Sequence, residues 1–249
     1  MAISVLHQIR DLPSQSLVAQ EVHVSTCHID DDSDIALMDA WDVLSSEEVA
    51  RAKRFRFPRD CARYVRGRAF LRHSLGAATD QRPAELALTQ KANGKPFLDE
   101  TLHFNLSHSA GLAVLAISAF GPVGIDLEFI DRRIDIRGLA RSCFTKEEEQ
   151  SISALPVREQ APRFFTYWTA KEARMKLTGE GMALSPQQIV LDILHGIPVG
   201  YILPEYPPAQ ATFINLQHPA ALCCLALPQG SAPTIFSGTF GQTLSLAAT

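Results

Sequence analysis

"NLSHSAGLAVLAI" (residues 105–117) and "NLQHPAALCCLAL" (residues 215–227) are one strand-turn-strand written twice, 110 places apart, with Asn, Leu, His, Ala, Leu, Leu and Ala in register. Working outward, each copy has the same elements before it. In the first half "PRDCARYVRGRAFLRHSLG" (58–76) has the pattern of a helix, with Cys61, Val65 and Ala69 on one stripe, and "LALTQKANGKPFL" (86–98) reads as strand, Asn-Gly turn, strand. In the second half "RFFTYWTAKEARMKLTG" (163–179) is a helix and "QQIVLDILHGIPVGYIL" (187–203) a strand pair turning at His195-Gly196. At a shift of 102 places Arg72 falls on Arg174, Leu75 on Leu177, Gly94 on Gly196 and Pro96 on Pro198. A period this long is a duplicated subdomain rather than a solenoid unit. The expected fold is therefore α+β, with two similar α/β subdomains, 1–121 and 122–249, related by a pseudo-twofold axis. Ligand sites favour the cleft between such lobes.

The junction of the halves is "VGIDLEFI" (123–130), two acids in an apolar run. On a strand Val123, Ile125, Leu127 and Phe129 share one face while Asp126 and Glu128 share the other. Their Cα atoms then stand about 6.6 Å apart, close enough for both carboxylates to converge on one small cation. Oxygen ligands in this arrangement suit magnesium, which takes one or two carboxylates and completes its shell with water and phosphate; alternating acids on a wet strand face are the competing reading. On the second helix Glu172 and Lys176 stand four apart and share a face, which by itself is an exposed ion pair. Trp168, one turn earlier, is expected in the core. Ser107 and His108 are neighbours on a strand, so their side chains diverge and a serine activated by its own neighbour is disfavoured. Phosphate ligation suits them better, beside a turn where Gly94 admits close backbone approach and Lys95 adds a compact charge.

Bulk properties narrow the class. In 249 residues, 46% apolar and 20% charged residues describe a globular chain with an ample core. No apolar stretch is long enough for a membrane span, and the first residues lack a basic-then-apolar leader, so a cytoplasmic location is expected. Five scattered cysteines without a C-x-x-C pair favour neither disulfides nor a zinc site. His23, His28 and Asp30 to Asp32 are too irregularly spaced for metal ligands and read as a strand followed by a solvated loop. A net charge of −4 argues against a general nucleic-acid binder, yet between Arg51 and Arg72 nine basic residues face one acid, Asp60. That local field suits an anionic ligand or partner, or simply a solvated helix face.

Taken in order, "RFRFPRDCARYVRGRAFLR", "NGKP", "FNLSHS", "VGIDLE", "CFTKEE" and "WTAKEARMK" resemble the 4′-phosphopantetheinyl transferase superfamily of the single-chain Sfp type over roughly residues 45–195. The resemblance implies a pseudodimer of two α/β halves. It also implies transfer of the phosphopantetheine arm of coenzyme A to a serine of an apo acyl or peptidyl carrier protein, with release of adenosine 3′,5′-bisphosphate. It assigns Mg²⁺ to Asp126, Glu128 and Glu172, makes Glu172 the candidate base and places Lys176 on the pyrophosphate. Coenzyme A contacts are implied for Arg51, Lys91, Gly94, Lys95, Ser107, His108 and Lys176. Two positions depart from the family pattern. Glu48 stands where a basic residue is sometimes found, which would leave the 3′-phosphate to Arg54 or Arg63. Met175 replaces a frequent aromatic residue and is expected to widen carrier tolerance. A Mg²⁺-dependent phosphohydrolase and a non-catalytic RNA-binding module are the alternatives. With duplicated halves already supplying the cleft, a monomer is expected.

Overall fold

The computed structural model describes residues 21–90, 94–98, 102–131, 133–231 and 234–240. Two lobes with the same element order follow one another. The first contains β1 (Glu21–His28), α1 (Leu37–Asp42), α2 (Ser46–Ala52), α3 (Pro58–Thr79), the short strands β2 (Thr89–Gln90) and β3 (Pro96–Phe97), and the hairpin β4 (His103–Ser109) and β5 (Leu112–Ser118). The second contains β6 (Gly124–Phe129), α4 (Ile136–Cys143), α5 (Lys146–Ser153), α6 (Val157–Thr178), the pair β7 (Val190–Leu194) and β8 (Ile197–Ile202), then β9 (Ala209–Ile214) and β10 (Ala221–Pro228). A last strand, β11 (Thr234–Thr239), follows.

The two main sheets run β11-β1-β5-β4 and β6-β10-β9-β8-β7. β11 pairs parallel with β1, so residues 234–239 return to the first sheet. This corrects the expectation that 122–249 forms the second subdomain throughout: the end of the chain completes the first lobe's sheet, covering an edge that β1 would otherwise leave open.

Burial on both faces explains the unalternating runs "LAVLAI" and "LCCLAL". From β5, Ala113, Leu115 and Ile117 meet Phe70, Leu71 and Leu75 of α3. From β10, Cys224 and Ala226 face Tyr167, Ala170 and Met175 of α6. The opposite faces of the two sheets meet each other through Val22, Val24, Val114 and Ala116 on one side and Val123, Ile125, Leu127, Cys223 and Leu225 on the other. The order is helix, sheet, sheet, helix, and the five cysteines are free thiols. Met175 is fully buried in the second core, so it lies away from any carrier-facing surface, contrary to the expectation attached to it.

The basic run also differs from expectation. Arg66 is buried and donates to the carbonyls of Ile29 and Ile35 and to Asp32. Arg59 and Arg63 both bind Asp30, and Arg68 and Arg72 both bind Glu48. Five arginines thus hold the loop after β1 and helix α2 onto α3, Arg66 and Arg72 from buried positions and Arg59 from an exposed one. Glu48 is the buried acid of a capping box whose other member is Ser45. It is needed for the fold, which is the physical reason that no base stands there; Arg63 is likewise committed to Asp30. The second lobe repeats the device, with Thr145 and Glu148 capping α5 and Glu148 paired with buried Lys171.

Candidate active site

The seam between the lobes lies where β4 runs beside β6, and side chains do the joining there. Odd-numbered residues of β4 point at β6. Asn105 Oδ1 accepts from Ile125 N at 2.8 Å, Ser107 Oγ accepts from Leu127 N at 3.2 Å, and Ser109 Oγ donates to Glu128 Oε2 at 3.3 Å. Helix α6 closes the other side. A Cβ on Gly124 would stand 2.1 Å from the Ala173 carbonyl oxygen and 2.4 Å from Leu177 N, so only glycine lets strand and helix approach this closely. Because Val123, Ile125 and Leu127 face the core between the sheets, Asp126 and Glu128 point together toward α6, as the alternation requires.

One open cleft brings together Ser107 and His108 of β4, Asp126 and Glu128 of β6, and Glu172 and Lys176 of α6. Lys176 does not pair with Glu172 along its own helix. Its Nζ donates to Asp126 Oδ1 at 2.6 Å and to Ser107 Oγ at 2.8 Å, and Ser107 Oγ donates to the same Asp126 oxygen at 3.0 Å. Asp126 is 3% exposed, and its Oδ2 has no hydrogen-bond partner. Glu128 is held at both oxygens, by Ser109 and by the Trp168 indole N–H, which donates to Oε1 at 3.2 Å. Trp168 therefore does more than fill the core. Among the described residues no hydrogen bond or ion pair reaches the Glu172 carboxylate. Burial, with the Asp126 charge adding to it, pushes Glu172 up to about 7. Glu128 rises for the same two reasons, against the opposing hydrogen bonds of Trp168 and Ser109. His108 is pushed down by burial first, then by the Lys176 and Arg63 charges.

Such a cluster holds more negative charge than Lys176 alone offsets. Among the described residues no three His, Cys, Asp or Glu side chains stand in a geometry that could hold a metal ion as placed. The donor chemistry nonetheless fits a hard divalent cation: three carboxylates on one cleft, with a buried carboxylate oxygen lacking any partner and a second carboxylate unbonded.

The remaining expected residues lie around this centre. Gly94 takes the left-handed conformation, φ +79°, that a tight turn needs. Lys95 Nζ donates to the carbonyls of Lys176 at 2.9 Å and Val123 at 3.3 Å, placing a cation at the C-terminal end of α6 and tying the first lobe to both elements of the site. Arg51 is exposed at the end of α2, its guanidinium 5.4 Å from the centre of the Tyr64 ring and outside the acid cleft. Lys91 lies outside the described residues. Ser109, Asn105 and Trp168 were not singled out by sequence as site residues. Ser109 and Asn105 share strand parity with Ser107, and Trp168 precedes Glu172 by one helical turn, so the periodicities that found the acids also contain these three.

The family profile of the 4′-phosphopantetheinyl transferase superfamily matches residues 122–224, and that of the 4′-phosphopantetheinyl transferase N-terminal domain matches residues 32–119. Among relatives, 4′-phosphopantetheinyl transferase HetI of a Nostoc species is 38% identical over 176 residues, 69% of this chain and 74% of that protein. The transferase psf-1 of Bacillus pumilus is 37% identical over 142 residues, 56% of this chain and 60% of its own length. The transferase gsp of Aneurinibacillus migulanus is 33% identical over 152 residues, covering 59% and 63%. The chain thus spans about three quarters of the first relative and about three fifths of the other two. With both lobes matched in order and the first relative aligned across most of each chain, this chain belongs to the 4′-phosphopantetheinyl transferase superfamily.

Proposed function

We propose that the chain transfers the 4′-phosphopantetheine group of coenzyme A to a serine of an apo acyl or peptidyl carrier protein. The observation that carries this reading is the meeting of Asp126, Glu128, Glu172 and Lys176 with Ser107 and His108 in one seam between the lobes. Asp126, Glu128 and Glu172 would hold Mg²⁺, which when bound offsets charge on the pyrophosphate oxygens. Glu172 is the acid with no protein donor on it, which leaves a carboxylate oxygen in the cleft to accept a proton. It accepts the serine hydroxyl proton as the serine oxygen bonds to phosphorus. The bond from phosphorus to the bridging oxygen breaks, and adenosine 3′,5′-bisphosphate leaves with the electron pair. Lys176 lies against Asp126 and supplies positive charge to the departing phosphate.

The first lobe, 1–121, is proposed to bind coenzyme A through Arg51, Lys91, Gly94, Lys95, Ser107 and His108. The second, from 122 onward, brings the acids and the helix that carries Glu172. A cytoplasmic monomer fits this division, since two lobes of one chain already form the seam. Among the described residues no helix is long and apolar enough to cross a membrane.

The test incubates the protein with coenzyme A and a panel of apo carriers, with and without Mg²⁺, and weighs the carriers. A gain of one phosphopantetheine that Asp126→Asn and Glu172→Gln abolish supports the reading. Cleavage of coenzyme A without carrier modification makes the chain a phosphohydrolase instead. Near-normal turnover by Glu172→Gln removes the proposed base.

A further inference from the structure

Of the three acids, Glu128 alone is held at both oxygens, and its two donors come from opposite sides of the seam. Ser109 Oγ reaches Oε2 from the end of β4 in the first lobe, and Trp168 Nε1 reaches Oε1 from α6 in the second. Asp126, by contrast, is bound at Oδ1 and left bare at Oδ2. The acceptor of the Trp168 indole N–H is a carboxylate whose plane the second donor, Ser109, fixes. Each carboxylate oxygen has room for more than one partner, so an oxygen that accepts one N–H or O–H bond can still ligate a cation. We propose that Trp168 and Ser109 are positioning residues: together they orient the Glu128 carboxylate for the divalent ion and make that orientation depend on the two lobes being closed on each other. The proposal rests on the metal reading given above.

Two further features favour orientation over mere packing. Trp168 is only partly buried, packed against the second core with its ring edge at the seam, so Phe at 168 keeps most of the apolar contact and loses the N–H. Ser109 is at the last residue of its strand, and Ala at 109 removes a single hydroxyl.

The test is a Mn²⁺ titration followed by the electron paramagnetic resonance signal of the free ion, using the full chain with coenzyme A present. Groups that orient a metal ligand typically change affinity by about 10- to 100-fold when removed. Trp168→Phe and Ser109→Ala are expected to weaken Mn²⁺ binding about tenfold or more, with the melting curve near that of the parent. Trp41→Phe, which alters the other indole in the first core, is expected to leave Mn²⁺ binding unchanged. Parent-like affinity in either site variant overturns the proposal. If Trp168→Phe does not fold, Ser109→Ala decides alone. Failure of the parent chain to bind Mn²⁺ overturns the metal reading and this inference with it, an outcome distinct from equal binding by parent and variants.

Discussion

Gly124→Ala tests whether the distance between β6 and α6 sets the chemistry. The added methyl would lie 2.1 Å from the Ala173 carbonyl oxygen, 2.4 Å from Leu177 N and 2.9 Å from Leu177 Cα, all helix backbone, with no flexible side chain to give way. Contacts below 3.0 Å are essentially unknown for real Cβ atoms, so strand and helix must separate by about 1 Å. Overpacking of this kind costs about 1–3 kcal/mol, which a domain of ordinary stability survives. The site is less tolerant. Asp126 is two residues along the strand, and Glu172 and Lys176 sit on the turns that flank Ala173, so the separation opens the Lys176 to Asp126 contact of 2.6 Å directly. Misplacement of reacting groups by about 1 Å costs on the order of 100-fold in rate. Expected, then, is a folded variant with a urea midpoint lowered by the equivalent of about 1–3 kcal/mol and a kcat for carrier modification lowered about 100-fold. A folded Gly124→Ala protein that turns over within threefold of the parent would show that the strand-helix distance does not matter to catalysis.

The buried pair behind the catalytic helix makes a second prediction. Lys171 Nζ is 2.6 Å from Glu148 Oε2, both nearly without exposure, and Glu148 also accepts from Leu191 N and caps α5. Glu148→Ala strands the ammonium in the core and removes a cap, an expected loss of about 3–5 kcal/mol in urea unfolding, while Glu148→Gln with Lys171→Met together should recover at least half of it. A third concerns pH. Asp30 is held below the usual carboxylate range first by its hydrogen bond from Arg63, then by that from Arg59. A depressed carboxylate contributes stability that is present above its unfolded value near 4 and is lost as pH falls through the lower folded value. Asp30→Asn should therefore cost about 1 kcal/mol at pH 7 and less at pH 3, read from urea midpoints at both; an equal cost at the two pH values would refute the ion-pair account.

The duplication was legible because each half repeats a doubly buried strand, and the acids were legible because strand parity put Asp126 and Glu128 on one face. What joins those parts was not. Trp168 and Glu128 are forty residues apart, and nothing in either local pattern announces the hydrogen bond. The arginines of α3 read as a solvated stripe because their partners lie on the loop after β1, with Asp30 distant by 29 and 33 residues from Arg59 and Arg63. Only folding of that loop over the helix brings its acids, Asp30 and Asp32, onto the basic face. The returning strand β11 was hidden for the same reason: its partner is β1, at the opposite end of the described chain.

Why two matching lobes carry one set of acids follows from the strand registers. β5 pairs with β1 as β10 pairs with β6, and the repeat places Val114 of β5 on Cys224 of β10. Opposite Cys224 stands Asp126, and opposite Val114 stands Thr26; opposite Leu222 stands Glu128, and opposite Leu112 stands His28. On the helices the shift that aligns Arg72 with Arg174 sets Phe70 against Glu172 and Ser74 against Lys176. The first lobe thus has a hydroxyl, an imidazole and a phenyl ring where the second has three carboxylates. Phe70 is fully buried in its core, so a carboxylate at that position would have no water and no partner. The capping-box acids, Glu48 and Glu148, persist in both lobes with buried bases beside them, because each lobe must still tie its short helix to its long one. Duplicated positions therefore stay alike where they hold a lobe together and differ where the second lobe carries its acids. An acid installed at Phe70 should unfold the first lobe rather than create a second cation site.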